Sequence, residues 1–340
     1  MQRTVEPIEV HHFTDAATGL DAVVAIDDLR LGPAFGGCRF RPYATAEAAR
    51  TDACRLAAGM TLKNALASIP FGGGKAVIRR PPGPFDRAAL FEAFGRRIEE
   101  LGGRYVTAMD SGTETADMDA IARHTRFVSG SSRQEGDPSP HTARGVAHGI
   151  RAALASTGSD LANARIAIQG VGHVGAALAR LLADQGARLV VADVDQTQAR
   201  HVAAALGADR VAAETILTTD CDLLAPCALG GVLEAASVSA LRCRIVAGAA
   251  NNQLAHPGIA ELLAARDILY VPDFVINSGG VIHAALAWLG LEATEIMGRV
   301  DAIGDTVTAI LERAEASGTL PEATAVEHAR DVLARAPASA

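Results

Sequence analysis

Arg165-Ile-Ala-Ile-Gln-Gly170-Val-Gly172-His173-Val174-Gly175, followed by Arg188-Leu-Val-Val-Ala-Asp193, decides the reading of the fold. A short, mostly apolar strand runs into a GxGxxG turn. The turn opens a helix extending to about Gly186, and a second apolar strand ends in an acid. Glycines at this spacing have separate duties: the first permits a tight turn, the second lets the backbone approach a pyrophosphate, and the third allows close packing of helix on strand. The helix N-terminus offers unpaired N–H groups and partial positive charge to phosphates. Asp193 follows Gly170 by 23 residues, near the ~20 expected of an acid that bonds an adenosine ribose. Its carboxylate would repel a 2′-phosphate, which favours NAD over NADP. A GxGxxG alone marks many turns, and the competing reading is a Rossmann-type domain that binds no dinucleotide. The strand before, the helix after and the following acid weigh against it.

Downstream, strands are expected at Leu223-Leu224, Ile245-Val246 and Ile268 to Val271, separated by helical segments. Upstream, Thr142 to Ser156 is helical. Alternating β and α with apolar strands indicates a parallel sheet covered on both faces. Ser129 to Pro140, dense in Ser, Gly, Pro and Asp, reads as a linker. The expected class is therefore α/β, with a substrate and oligomerisation domain over 1–133 and a doubly wound Rossmann domain over 134–321. In the first domain Gly19 to Asp27 reads as a strand. Ala46 to Met60 reads as a helix, with Thr45 as N-cap and Gly59 near its end. Phe71-Gly-Gly-Gly-Lys75 reads as a glycine loop entering a short strand. Phe85 to Leu101 is an amphipathic helix stopped by Gly102-Gly103, and Tyr105 to Met109 a strand ending at Asp110. Ala336 to Ala340 reads as a loose tail.

The chain of 340 residues is 49% hydrophobic and 21% charged, ample for two cores. A net charge of −8 and the lack of any basic run speak against a nucleic-acid surface. No stretch reads as a signal peptide or a membrane span. The five cysteines, Cys38, Cys54, Cys221, Cys227 and Cys243, form no CxxC pair and fit thiols of a reducing, cytoplasmic compartment. No HxxxH or carboxylate cluster argues for a metal. One feature of the composition points to chemistry. Lysine plus arginine number 31, yet only Lys63 and Lys75 are lysine. A codon bias that writes arginine wherever charge alone matters explains the rest. It singles out the two exceptions, because a lysine can lose its proton in a suitable site and an arginine cannot.

Four polar features read as turns in the first domain: Gly36-Gly37, Lys63-Asn64, Gly72 to Lys75, and Asp110. Oxidation of an amino acid by hydride transfer needs a cation for the substrate carboxylate and a base for its ammonium group and for water. It also needs a carboxylate that relays protons and stabilises cationic intermediates. Two lysines and an aspartate suit those tasks. A lysine base must have its pKa brought from about 10.4 toward about 7–8, and burial beside a second lysine acts in that direction. Each feature has a plainer reading. Glycine runs are commonly turns, Asp110 before Ser-Gly alone suggests an Asx-turn residue, and Asn251-Asn252 could cap a loop.

The segments Gly32-Pro-Ala-Phe-Gly-Gly-Cys-Arg39, Gly59-Met-Thr-Leu-Lys-Asn64, Phe71-Gly-Gly-Gly-Lys75, Thr107-Ala-Met-Asp110, Pro226-Cys-Ala-Leu-Gly230, Ala247-Gly-Ala-Ala-Asn-Asn-Gln253 and Pro272-Asp-Phe-Val-Ile-Asn-Ser-Gly-Gly280 together resemble the glutamate/leucine/phenylalanine/valine dehydrogenase family, and most of all its leucine dehydrogenase branch. The resemblance covers nearly the whole chain in order. It implies two domains around a cleft, C-terminal helices (about 322–340) returning to the first domain, and a homo-oligomer. It implies NAD-dependent, reversible deamination of a neutral amino acid to its 2-oxo acid, with no nucleic-acid or membrane partner. Lys63 would hold the substrate carboxylate with Gly36, Gly37 and the Asn251-Asn252 turn. Lys75 would be the base and Asp110 its proton partner. The cofactor would meet Gly170, Gly172, His173, Val174, Gly175, Asp193, Thr142, Cys227, Ala228 and Asn251. His173 is expected to face solvent or the cofactor's rim, with no chemistry of its own.

Glutamate enzymes of the family place a lysine just before the Gly-Gly pair. Here that residue is Phe35, so glutamate is not the expected substrate. Phe35, Ala108, Val281 and Ala284 would line an apolar pocket. Such pockets separate one methylene by only about 1–3 kcal/mol, so branched aliphatic and aromatic amino acids both stay open, with leucine the first expectation. Arg144, His141 and His283 lie near these segments; Arg144 and His141 depart from the leucine enzymes and leave room for a polar substrate. A non-catalytic NAD-binding homologue is the reading from another class, and both lysines and Asp110 argue against it.

Overall fold

The computed structural model describes residues 8–132 and 137–336. The chain divides into two compact units: Met1–Gly136 with Ala284–Ala293 and Ala329–Ala340, and Asp137–His283 with Thr294–His328. Part of the expected linker, residues 133–136, and nearly all of the expected tail lie outside the described residues.

The first unit contains strands β1 (Glu9–Asp15), β2 (Leu20–Asp28), β3 (Ala34–Arg41), β4 (Gly72–Arg79) and β5 (Tyr105–Met109), and helices α1 (Ala46–Leu66), α2 (Arg87–Glu100) and α3 (Thr115–Ala122). The sheet order is β1-β2-β4-β3-β5. The β1–β2 and β2–β4 pairs are antiparallel, and β3 runs parallel to both β4 and β5. Period-two alternation sorts its side chains. Val23, Ala25 and Val77 pack with Ala49, Ala53 and Ala57 of α1. Ala22, Val24, Ile26, Cys38, Phe40, Ala76 and Ile78 pack with Leu90, Phe91, Phe94 and Ile98 of α2. Lys75 shares the alternation of Val77, and Gly37 and Arg39 lie on the opposite alternation from Cys38 and Phe40. The sequence pattern therefore directs the candidate base to the α1 face.

Three of the four expected turns are regular structure. Helix α1 does not stop near Gly59 but runs to Leu66, placing Lys63 and Asn64 in its last turn. Gly59 keeps helical geometry at a cost of about 1 kcal/mol relative to alanine, and the helix continues because Thr61, Asn64, Ala65 and Leu66 are buried. Gly36-Gly37 lies within β3 and Gly72 to Lys75 within β4. These glycines are selected by proximity rather than by turning. A Cβ on Gly36 would lie 1.8 Å from the Gly74 carbonyl oxygen, and one on Gly72 would lie 1.9 Å from that of Asp28.

The second unit follows the expected alternation. Its strands are β6 (Arg165–Gln169), β7 (Arg188–Ala192), β8 (Asp209–Arg210), β9 (Leu223–Pro226), β10 (Ile245–Val246) and β11 (Leu269–Tyr270). Around them lie α4 (Ser139–Ser156), α5 (His173–Ala183), α6 (Gln196–Leu206), α7 (Ala235–Ala240), α8 (Ile259–Ala264) and α9 (Asp273–Ile276). Helices α10 (Gly279–Trp288), α11 (Ala293–Asp301), α12 (Ile303–Ser317) and α13 (Pro321–Arg335) complete the chain. The sheet order β11-β10-β9-β6-β7-β8 is parallel throughout, the doubly wound dinucleotide-binding arrangement. Ala167, Val190, Leu224 and Val246 fill one face with Val238, Ile259 and Leu263, while Ile166, Ile168, Val191, Leu223 and Ile245 are buried as well. Both faces being covered explains why these strands read as continuous apolar runs.

Candidate active site

Lys75 projects from the middle of β4 and is 6% exposed. Its Nζ lies 2.9 Å from Oδ2 of Asp110, the residue that follows β5. The same oxygen accepts from Nε of Arg39 at 3.2 Å. Burial raises the Asp110 carboxyl, but Lys75 and Arg39 outweigh it and hold the group at about 2. Asp110 is thus an ion-paired carboxylate. The turn after β5 is made instead by Thr113, whose Oγ1 accepts from the Asp110 N–H at 2.9 Å.

Glycine at 37 permits this approach: a Cβ there would stand 2.7 Å from the Asp110 Cβ. Gly36 and Gly37 pair with β5 and are passed over in the β3–β4 register, which goes from Phe35↔Gly73 to Cys38↔Ala76. Their carbonyls accept from the buried Tyr105 hydroxyl at 2.6 and 3.3 Å. Lys63, half-buried, sits one residue before Asn64. The fully buried Asn64 Nδ2 donates to the Phe35 carbonyl at 3.2 Å and the Gly72 carbonyl at 2.7 Å, tying the end of α1 to β3 and β4. Asn64 had no role assigned from sequence; its position beside a buried helix end is the signal that could have found it. Phe35 is 1% exposed and packs its ring 5.1 Å from that of Phe71, which meets Trp288 at 5.9 Å. Phe71 and Trp288, not singled out from sequence, thus join Phe35 in one packed aromatic series. Ala108 is buried and Ala284 half-buried; the Ala284 carbonyl accepts from Ser129 Oγ at 2.9 Å.

In the second unit the glycine turn has the expected conformations. Gly170 adopts φ +90°, and a Cβ on Gly175 would lie 2.0 Å from the Gly170 carbonyl oxygen, so α5 packs tightly on β6. A Cβ on Gly172 would meet no atom within 4 Å, leaving open space at the N-terminus of α5. Val174 is half-buried there, and the His173 side chain is 88% exposed, 3.9 Å from Asp137. Asp193 accepts from the Val171 N–H at 2.7 Å and the Asp195 N–H at 2.9 Å, bracing the turn from the end of β7. Cys227 and Ala228 follow β9, and Asn251 and Asn252 follow β10. Gly230 meets the Asn251 backbone so closely that a Cβ would stand 2.4 Å from its oxygen. Asn252 holds φ +51° and donates its N–H to Asp273 Oδ2 at 2.5 Å, and Asn251 Oδ1 accepts from Asn277 at 2.9 Å. These loops gather around the β6–β9 junction where the strand order reverses, the place where such sheets bind ligands. The residues present fit a dinucleotide: a glycine cradle, open space at a helix N-terminus and an acid at the next strand's end. Val194 and Leu229, not singled out from sequence, stand 89% and 84% exposed after Asp193 and Ala228.

Thr142 and Val281 lie where α4 and α10 begin and cross closely; a Cβ on Gly280 would be 2.7 Å from Thr142 Oγ1. His141 and His283 stack there with ring centroids 3.9 Å apart. Burial, His283 and Arg144 bring His141 down to about 4. Arg144 does not extend a free cation toward a polar substrate, because Asp301 takes its guanidinium in a bidentate pair at 2.5 and 2.7 Å.

A family model described as Glu/Leu/Phe/Val dehydrogenase, dimerisation domain, matches residues 6–127, and one described as Glutamate/Leucine/Phenylalanine/Valine dehydrogenase matches residues 136–199 and 191–315. The chain belongs to this family. It is 45% identical to a valine dehydrogenase of Streptomyces virginiae, covering 92% of this chain and 89% of that one. A leucine dehydrogenase of Thermoactinomyces intermedius is 42% identical over 89% of this chain and 84% of its own. The crystal structure of an L-tryptophan dehydrogenase from Nostoc punctiforme superposes with a TM-score of 0.87 at 38% identity, over 97% of both chains. This amino acid dehydrogenase therefore has the two-domain α/β fold of its family. No helix among the described residues is long and apolar enough to cross a membrane.

Proposed function

We propose that this dehydrogenase carries out NAD-dependent, reversible oxidative deamination of a neutral apolar L-amino acid, giving the 2-oxo acid and ammonia. The observation that carries the reading is the buried Lys75–Asp110 pair at 2.9 Å. One of only two lysines in the chain is held inside the protein against a carboxylate, an arrangement that binding a dinucleotide does not require. Lys63 takes the substrate carboxylate, with the backbone at Gly36 and Gly37 and the Asn252 turn assisting. Lys75, in its neutral form, removes the proton from the substrate ammonium; once it has released that proton to solvent it takes another from the water that attacks the imine carbon. Asp110 keeps Lys75 in place and offsets positive charge on the substrate nitrogen. Bound NAD would supply the oxidant for hydride removal from the substrate α-carbon. Gly170, Gly172, His173, Val174 and Gly175 would hold its phosphates, Asp193 its adenosine ribose, and Thr142, Cys227, Ala228 and Asn251 its remaining length. Val194 and Leu229 offer apolar faces to the adenine.

Phe35, packed on Phe71, puts an aromatic ring where a second carboxylate would need a cation. With Ala108, Val281 and Ala284 it favours an apolar side chain, leucine or another branched one first; the valine and leucine dehydrogenases among its relatives support that choice. Phe71 and Trp288, and the tryptophan dehydrogenase of similar structure, support an aromatic substrate as the second reading. The description of the first family model supports a homo-oligomer.

NADH production from NAD and a panel of L-amino acids tests this directly. Turnover is expected with leucine, valine or phenylalanine and not with glutamate; turnover with glutamate as the best substrate would overturn the Phe35 argument. Lys75→Ala should lower turnover by roughly 100-fold or more with NADH affinity nearly intact. Substantial residual turnover would remove Lys75 from the role of base.

A further inference from the structure

We infer that Arg39 is a positioning residue for the Lys75–Asp110 pair, anchored from behind by Asp52. The inference rests on reading that pair as catalytic. Arg39 Nε donates to Asp110 Oδ2, the oxygen that also takes Lys75 Nζ, and Arg39 Nη1 donates to Asp52 Oδ2 at 3.1 Å. The guanidinium therefore spans two carboxylates. Asp52, on α1, is itself held by Tyr43 Oη at 2.6 Å, Arg55 at 2.8 Å and Arg41 at 3.3 Å. The Arg39 and Asp52 side chains are only 16% and 10% exposed, so solvent screens the series weakly. The contacts run from α1 through β3 to the end of β5 and stop at the candidate base.

This geometry assigns Arg39 two effects. It fixes the rotation of the Asp110 carboxylate, because one oxygen is pinned from two directions. It also keeps that carboxylate anionic, because a guanidinium does not deprotonate at working pH. Asp110 then acts as a fixed counter-charge rather than as a store for protons, a narrower role than proton partner. The titratable and charged groups that bear on it are Lys75 from β4, Arg39 and the buried Cys38 thiol from β3, Tyr105 from β5, and Asp52 with Arg55 from α1. Of these, Arg39 is the cation whose loss leaves the base in place.

Arg39→Gln and Arg39→Lys, in the full-length enzyme, separate positioning from scaffolding. Both should bind NADH like the parent. In Arg39→Gln, turnover should fall on the order of 100-fold with a smaller change in KM. The acid limb of its kcat profile should move to higher pH, because a neighbouring cation that opposes protonation of the base has been lost. Arg39→Lys keeps the charge but cannot span both carboxylates, so it should restore the acid limb and only part of the turnover. A folded Arg39→Gln enzyme with parental kcat and pH profile would overturn the inference. Should Arg39→Gln fail to fold, Asp52→Asn loosens Arg39 from behind; the same acid-limb shift with a smaller loss of turnover is expected, and an unmoved profile counts against the proposal. Lys75→Ala, run alongside, tells the two failures apart: if it too retains turnover, the catalytic reading of the pair is what fails.

Discussion

At Asp110, two cations meet on one oxygen, and the consequence is readable as pH dependence. The folded carboxyl sits at about 2 against an ordinary 3.8. A depressed folded value means stability that is present above the unfolded pKa and lost as pH falls through the folded one. Asp110→Asn should therefore cost roughly 2 kcal/mol near neutrality. The gap in melting temperature between variant and parent should narrow as pH drops from about 4 toward about 2; a gap that stays constant would show that the ion pair is not its source. Asp193 has two duties that substitution can divide. Its oxygens brace the Val171 and Asp195 N–H groups, while its charge is proposed to exclude a 2′-phosphate. Asp193→Asn keeps one of the two acceptors and loses the charge. It should relax the preference for NAD over NADP and cost about 1 kcal/mol of stability, because one of the two braced N–H groups then faces an amide NH2; an unaltered cofactor ratio would leave Asp193 with the bracing role alone.

Among the elements, helix α1 decides where Lys63 stands. Thr61 lies against β4 so closely that a Cβ on Gly73 would come within 2.0 Å of its Oγ1 and 2.3 Å of its backbone nitrogen. Its hydroxyl donates to Asp27 at 2.5 Å, the residue at which the β2–β4 register shifts. Gly73→Ala should displace the last turn of α1, raising KM for the amino acid and lowering stability by about 1–3 kcal/mol. An unchanged KM would mean that the end of α1 does not position Lys63. The same elements show what was legible beforehand. Tyr105–Met109, Arg165–Gln169, Arg188–Ala192 and Ile245–Val246 were readable residue for residue, because buried parallel strands are short apolar runs between glycines and acids. Strands β3 and β4 were not, because Gly36-Gly37 and Gly72 to Gly74 look like turns in one dimension. Their lack of side chains answers to neighbours that are distant in sequence: the Gly74 carbonyl for Gly36, Asp28 for Gly72, Thr61 for Gly73. Lys63 and Lys75 could be picked out by residue type and Asp110 through the family resemblance, but Arg39 and Asp52 could not, since one arginine among so many carries no mark until its two carboxylates are seen.

At the scale of the molecule, each unit brings its own chemistry. The first carries the two lysines, Asp110 and the Phe35–Phe71–Trp288 series. The second carries the glycine cradle, Asp193 and the stacked histidines. Expected assembly adds a further prediction: light scattering on the purified protein should give a multiple of the single-chain mass, and a monomer retaining full activity would show that oligomerisation is dispensable.

The scarcity of lysine has a practical side. Reagents that couple to primary amines ordinarily meet a surface covered with them. In this protein the side-chain amines are Lys75, 6% exposed, and the half-buried Lys63. Beyond the chain's own α-amine, acylating labels and amine-coupled supports reach Lys63 and Lys75 or nothing at all. Conjugation must go through carboxylates or thiols, and a mild amine-directed reagent is in effect a reagent for the proposed reaction centre.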